Sequence, residues 1–154
     1  MTIRPLLAAD IHVLAEALAS MEPWRTLGYS AAGLAGYLAR EDAALTRMVA
    51  EKGGAPSAVI AVRQPWLRGP YIEVLAVLPP AQGAGLGARL VNWAAERGGG
   101  NLWACVSAFN QPARDFYARL GFAEVAPLPG LVAEGFEEIL LRRRLVPGNP
   151  PVSR

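Results

Sequence analysis

Apolar and polar positions alternate along this chain with two periods, one near 3.6 residues and one of two. Ile11, Leu14, Ala15 and Leu18 recur at helical spacing behind Asp10, which predicts a helix from Asp10 to about Ser20. The only histidine, His12, falls on the opposite, solvated side of that helix. Ser30 can cap a second helix reaching about Arg40, with Leu34, Tyr37 and Leu38 facing inward. Between them, Met21 to Gly28 carries large apolar side chains with no periodic partner, either core plugs or the lining of a cleft. The period of two marks strands at Thr2 to Leu6, Leu45 to Glu51, Ser57 to Val62 and Tyr71 to Val77, followed by Asn101 to Ser107 and Glu138 to Leu145. Lys52 to Pro56 and Trp66 to Pro70 read as turns. After Val77, Pro79-Pro80 halts the strand, and Leu86, Leu90, Trp93 and Ala94 return to helical spacing until Gly98-Gly99-Gly100. A last helix is capped by Asn110, carries Pro112 in its first turn and closes at Gly121.

Strands joined by short turns form an antiparallel meander, and the crossover helix after Val77 sets Asn101 to Ser107 parallel to its predecessor. The expectation is an α/β (α+β) fold: a mixed, mostly antiparallel sheet of six or seven strands flanked by about four helices. Residues 1–146 form one domain, and 147–154, with Pro147, Pro150 and Pro151, a flexible tail.

Composition narrows the function. The 154 residues are 53% hydrophobic and 18% charged, which suits one packed domain rather than a disordered chain. A net charge of +2, with the basic residues dispersed apart from Arg142-Arg143-Arg144, does not call for nucleic acid. No apolar run approaches bilayer length and the N-terminus lacks a signal-peptide pattern, so a cytoplasmic protein is expected, with no membrane partner. One cysteine, Cys105, and one histidine leave almost nothing from which to build a zinc site or a Ser-His triad. No metal is expected.

The chemistry concentrates between Tyr71 and Arg97. A strand runs into Gln82-Gly83-Ala84-Gly85-Leu86-Gly87 and then into a helix. A helix entered through glycines presents free N–H groups and its positive dipole end, and the missing Cβ atoms admit an anion close to the backbone. That is a site for a phosphate or pyrophosphate. The glycines can be set on a dinucleotide fingerprint, but the next strand, Asn101 to Ser107, carries no acid to meet a ribose. No Gly-Lys-Ser/Thr follows to make a P-loop.

The wider pattern Val77-x-x-x-x-Gln82-Gly83-x-Gly85-x-Gly87 resembles the acetyl-CoA pyrophosphate loop of the GNAT superfamily of N-acetyltransferases. Asn110-x-Pro112-Ala113-x-x-Phe116-Tyr117-x-x-x-Gly121-Phe122 looks like the second signature region of the same family. The resemblance covers Tyr71 to Phe122 and rests on element order before that. It implies a GNAT fold with a splayed parallel strand pair in its middle. It also implies acetyl-CoA as co-substrate and direct attack of a neutral amine on the thioester.

Carried over residue by residue, Gln82, Gly83, Ala84, Gly85, Leu86 and Gly87 would hold the pyrophosphate. Leu75 and Val77 would flank the acetyl-pantetheine arm, and Asn110 would bond to it from the other side. Tyr117 matches the family's proton-donating tyrosine, a phenol of basicity comparable to the departing thiolate. Glu73 stands where the polyamine- and aminosugar-acetylating branches carry a proton-accepting Glu that often works through water. Strand alternation would set Glu73 on the face of Leu75 and Val77. Cys105 stands where the branch acetylating protein N-termini often has Glu, and beside Trp103 and Val106 it reads as core packing.

A small-molecule amine acceptor, such as a polyamine, aminosugar or amino-acid-like compound, is therefore expected. A peptide or protein acceptor, at an N-terminus or lysine, is the alternative. A non-catalytic acyl-CoA-binding module is a third reading, which would need neither Tyr117 nor Glu73. Glu22, Trp24 and Trp66 could make a pocket for a cationic, partly apolar amine. The family resemblance leaves a homodimer open.

Overall fold

The computed structural model describes residues 1–145, so the expected tail lies outside the described residues. The described chain forms a seven-stranded sheet in the order β1-β2-β3-β4-β5-β7-β6. The strands are β1 (Thr2–Pro5), β2 (Leu45–Lys52), β3 (Ala55–Arg63), β4 (Tyr71–Val77), β5 (Asn101–Ser107), β6 (Ala123–Pro129) and β7 (Glu137–Arg144). The helices are α1 (Ile11–Ala19), α2 (Trp24–Leu27), α3 (Ala31–Ala39), α4 (Leu86–Ala95) and α5 (Gln111–Arg119). Neighbouring strands are antiparallel except β4 and β5, which are parallel, as the crossover through α4 requires.

Two apolar layers sandwich the sheet. Leu90, Val91 and Ala94 of α4 and Tyr117 of α5 pack on Ile60, Val62, Ile72, Leu102, Ala104, Val106, Ile139 and Leu141. On the other side Leu14 and Leu18 of α1 and Leu34 and Leu38 of α3 pack on Val49, Val59, Ala61, Val74 and Ala76. Because both faces are covered, Ala58 to Val62 of β3 is a continuous buried apolar run rather than an alternating one.

Three elements differ from the pattern read in the sequence. The Met21–Gly28 loop contains the single turn α2, held by the Glu22 carboxylate, which accepts from the Thr26 N–H (3.0 Å) and hydroxyl (2.6 Å). β6 has no alternating signature and contains Pro127 and Pro129; it is a sheet edge, where a residue without an N–H is tolerated. Asp10 does not cap α1 through its side chain. Its carboxylate instead accepts from the Leu7 N–H (2.8 Å) and from two nitrogens of Arg4 (2.7 and 3.0 Å), tying β1 to the helix entry. Ser30 and Asn110 do cap α3 and α5, accepting from the N–H groups of Gly33 (2.9 Å) and Ala113 (3.4 Å).

The feature that makes a site is in the middle of the sheet. β4 and β5 are paired only at Tyr71↔Trp103 and Ile72↔Ala104, while β5 stays paired with β7 along its whole length. Beyond Ile72 the two strands diverge. On its other side β4 carries a bulge, since Ala61 pairs with Val74 but Val62 with Ile72, leaving Glu73 as the extra residue.

Candidate active site

The gap between β4 and β5 opens into a cleft of about 960 Å³ that runs through the sheet between the two helical layers. On the side of α4 and α5 it is lined by Leu75, Val77, Gln82, Gly83, Gly85, Leu86, Gly87, Asn110, Phe116, Tyr117 and Arg119. On the side of α2 and α3 it is lined by Met21, Glu22, Trp24, Tyr37, Tyr71 and Glu73, with Cys105, Ser107 and Glu138 on the floor and Leu131 and Val132 at the lip.

The glycine loop leaves backbone amides open at the start of α4. Gly83 and Gly85 both have left-handed backbone (φ 86° and 80°), a conformation that disfavours side chains, and Gly85 is the N-cap of α4. No side chain occupies that cap. The Arg89 N–H makes the first turn's bond, to the Gly85 carbonyl (3.2 Å), so the amides of Leu86, Gly87 and Ala88 have no partner within the helix. Gly87 serves a different need: a Cβ there would stand 3.0 Å from the ring of Phe116, so its absence lets α5 pack against the loop. The Gln82 side chain turns back and donates to the Val77 carbonyl (3.0 Å), fixing the loop to the end of β4. Leu86 is buried in the core, and Ala84 is exposed outside the cleft lining.

Tyr117 is packed edge-on between Phe116 and Phe122, with ring centroids 5.2 and 5.1 Å away, and lines the cleft. Burial, and secondarily the nearby Cys105, pushes its phenol well above the usual value, so at neutral pH it holds its proton. Beyond Ile72 the β5-facing backbone groups of β4 lack a strand partner, which leaves peptide donors at the mouth of the gap.

Glu73 is not on the face of Leu75 and Val77. The bulge reverses the alternation at that residue: Leu75 and Val77 pack toward α4 and α5, whereas the Glu73 carboxylate points to α3. There it accepts from the Tyr37 hydroxyl (2.9 Å) and from Arg63 (3.2 Å to each oxygen), with Asp42 on the same guanidinium at 3.1 Å. Burial first, then the charge and hydrogen bond of Glu73, raise the Tyr37 phenol above its ordinary value.

The matches to known proteins fit this geometry. The sequence model of the Acetyltransferase (GNAT) family matches residues 11–122. The chain belongs to that family. Its fold is that of a structure assigned to the GNAT family from Desulfovibrio desulfuricans, with a TM-score of 0.74 and 20% identity over 94% of this chain and 99% of the other. Nourseothricin acetyltransferase matches with a TM-score of 0.62 and 27% identity, over 69% of this chain and 68% of the other. An aminoglycoside 6'-N-acetyltransferase complexed with coenzyme A matches with a TM-score of 0.72 and 16% identity, over 97% and 99%. No curated protein matches the sequence.

Within this GNAT domain the residues singled out from sequence fall at different distances from the gap. Leu75, Val77, Gln82, Gly83, Gly85, Leu86, Gly87, Asn110, Tyr117, Glu73, Glu22 and Trp24 line one continuous cleft. Trp66 does not line it; it stacks on Tyr71 (centroids 4.8 Å apart) and meets Trp103 edge-on (5.3 Å), behind the wall. Glu22 lies on the rim, held below the usual carboxylate range by Thr26 and then Arg25, and its main bonds serve α2.

Cys105 is half-buried in the cleft rather than in the core, because the β5 residues that enter the core are Leu102, Ala104 and Val106. Burial raises its thiol, and the charge of Glu138 adds to that, so it is a protonated wall residue rather than a thiolate. Sequence reading passed over Tyr37, Tyr71, Ser107, Arg119 and Glu138. For Tyr71, Ser107 and Glu138 the only signal is register across strands distant in the chain, and for Tyr37 and Arg119 it is the packing of their helices on the sheet. Among the described residues no helix is long and apolar enough to cross a membrane, and no group of acids, His and Cys is placed to hold a metal.

Proposed function

We propose that the protein is an N-acetyltransferase that moves the acetyl group of acetyl-CoA to a primary amine of a small molecule. The observation that carries this is the through-sheet cleft. A pyrophosphate-type cradle and a protonated tyrosine lie on one face of the splayed pair, and a carboxylate-bearing pocket opens on the other.

In this reading the free amides at the start of α4, reached through Gly83, Ala84 and Gly85, take the pyrophosphate, with Leu86 and Gly87 supplying backbone N–H groups. Gln82 holds the loop in place. Leu75 and Val77 flank the pantetheine arm, Asn110 faces it from α5, and the unpaired amides of β4 receive the thioester oxygen as negative charge develops on it. The amine enters between α2, α3 and the bulge, past Glu22 and Trp24. Glu73 takes its proton, directly or through a water, and the nitrogen lone pair forms the new C–N bond. As the C–S bond breaks, Tyr117 gives its proton to the departing thiolate, and the second proton shed by the nitrogen returns the tyrosinate to the phenol through water. No acetyl-enzyme is required, and Cys105 stays a thiol.

The test is free-thiol release from acetyl-CoA with polyamines, aminosugars, amino acids, aminoglycosides and short peptides, for the wild type and Tyr117→Phe. Turnover with a small amine that collapses in the variant supports the reading. Tight acetyl-CoA binding without turnover on any amine overturns it in favour of a binding module.

A further inference from the structure

Glu138 is unused by the reaction as described. It is only 6% exposed, yet it lines the cleft. In the β5–β7 ladder it stands directly across from Ser107, whose hydroxyl donates to its Oε2 at 2.7 Å. None of the ion pairs among the described residues involves it, in contrast to Glu73 and Glu22, which meet Arg63 and Arg25. Burial raises its carboxyl, and the single bond from Ser107 offsets this only in part. A buried carboxylate with one hydroxyl for company is costly, and the cost is recovered when a cation arrives in the open part of its surroundings.

Position decides which part of a ligand it would meet. Glu73 projects from β4 on one wall of the gap. Glu138 projects from β7, with β5 between them, so at a strand spacing of about 4.8 Å the two backbones are roughly 10 Å apart or more. Both carboxylates face the same helical layer, since Glu138, Ser107 and Cys105 occupy strand positions opposite the Val106 and Ile139 that enter the α4/α5 core. The same side of the cleft is lined by Cys105, Met21 and Trp24, with Glu22 at the rim and Leu131 and Val132 of the β6–β7 loop 57% and 44% exposed. That is a lining for a hydrocarbon chain with a charge at its far end.

We propose that Glu138, held by Ser107, is a subsite for a second cationic group of the acceptor, so that the protein prefers amines carrying a further ammonium at the end of a short aliphatic chain. The proposal rests on the acetyltransferase reading of the cleft. It gives Glu138 a role in selecting the acceptor and leaves proton transfer to Glu73.

The experiment compares kcat/KM for 1,4-diaminobutane and butylamine in the wild type, Glu138→Gln and Ser107→Ala. The wild type should favour the diamine by roughly tenfold or more, mainly through KM, as expected for a desolvated charge-assisted contact. In Glu138→Gln that ratio should fall toward one, and in Ser107→Ala, which keeps the carboxylate, it should fall part of the way. Thermal melts identify a variant that fails to fold, and the other variant then carries the comparison. Turnover of both amines by the wild type without discrimination overturns the subsite alone. Absence of turnover with any amine in the wild type overturns the acetyltransferase reading, and the subsite with it.

Discussion

At the scale of single residues, Tyr117 and Glu73 show how packing limits the chemistry open to a side chain. Tyr117 is kept protonated by burial against Phe116 and Phe122, so it can give a proton but cannot serve as a base. Tyr117→Phe should lower kcat by about a hundredfold, within the usual range for a general acid. Steady-state kinetics check this, and a change confined to KM would contradict the donor role. Glu73→Gln should lower the rate most near neutral pH. The deficit should shrink as pH rises, because solvent then supplies the neutral amine. A pH–rate profile of wild type and variant side by side reads this directly, and a constant ratio at all pH values would remove Glu73 from proton transfer. Sequence alone named both residues, yet it placed Glu73 on the wrong face. Strict alternation takes every β4 residue as paired, and the bulge at Glu73 breaks that rule. The thiol of Cys105 was misplaced for a related reason: its neighbours in the chain are core residues, but its side chain faces the other way.

At the scale of elements, the glycine loop and α4 were legible because both their chemistry and their period are local. Gly85 and Gly87 matter for separate reasons, and substitution should separate them. Gly85→Ala imposes a left-handed backbone on a side chain and should cost about 1–2 kcal/mol of stability, while disturbing the cap proposed to hold the pyrophosphate. Gly87→Val drives a branched side chain into Phe116, which should displace α5 and with it Tyr117. Urea titration together with calorimetric acetyl-CoA binding checks the pair: Gly85→Ala should weaken binding beyond its effect on stability, and Gly87→Val should lose both. The elements that sequence did not reveal are those without a local signature. β6 gains its partners only from β7, two prolines mask its strand character, and α2 exists because Glu22 supplies what a single turn lacks.

At the scale of the whole molecule, two apolar layers hold a sheet that is open in the middle, and the site is the price of that opening. The layers must be firm for the gap to keep its shape. Leu90, fully buried on the sheet-facing side of α4, is one such support, and Leu90→Ala should cost about 2–5 kcal/mol in denaturant unfolding. The outer end of the sheet is tied by Asp10, whose carboxyl the hydrogen bonds from Arg4 hold below its ordinary value. Because the folded pKa is the lower one, the stabilisation is fully present above the unfolded value of about 3.9 and disappears as pH falls through the folded value. The melting-temperature gap between wild type and Asp10→Asn should therefore be constant near neutral pH and close below about pH 4.

The order of the elements, the mixed sheet and the family could be read from periodicity and two linked motifs. The polar groups on the α2 and α3 side of the cleft could not, since Tyr37 meets Glu73 only through helix packing and Ser107 meets Glu138 only through strand register. The central claim is that the gap between β4 and β5 is where the acetyl group changes hands. The most direct measurement is a crystal structure with coenzyme A bound. The account predicts the pyrophosphate on the amides that follow Gly83 and Gly85, and the thiol between Leu75 and Tyr117. A coenzyme bound with its thiol outside that gap would contradict it.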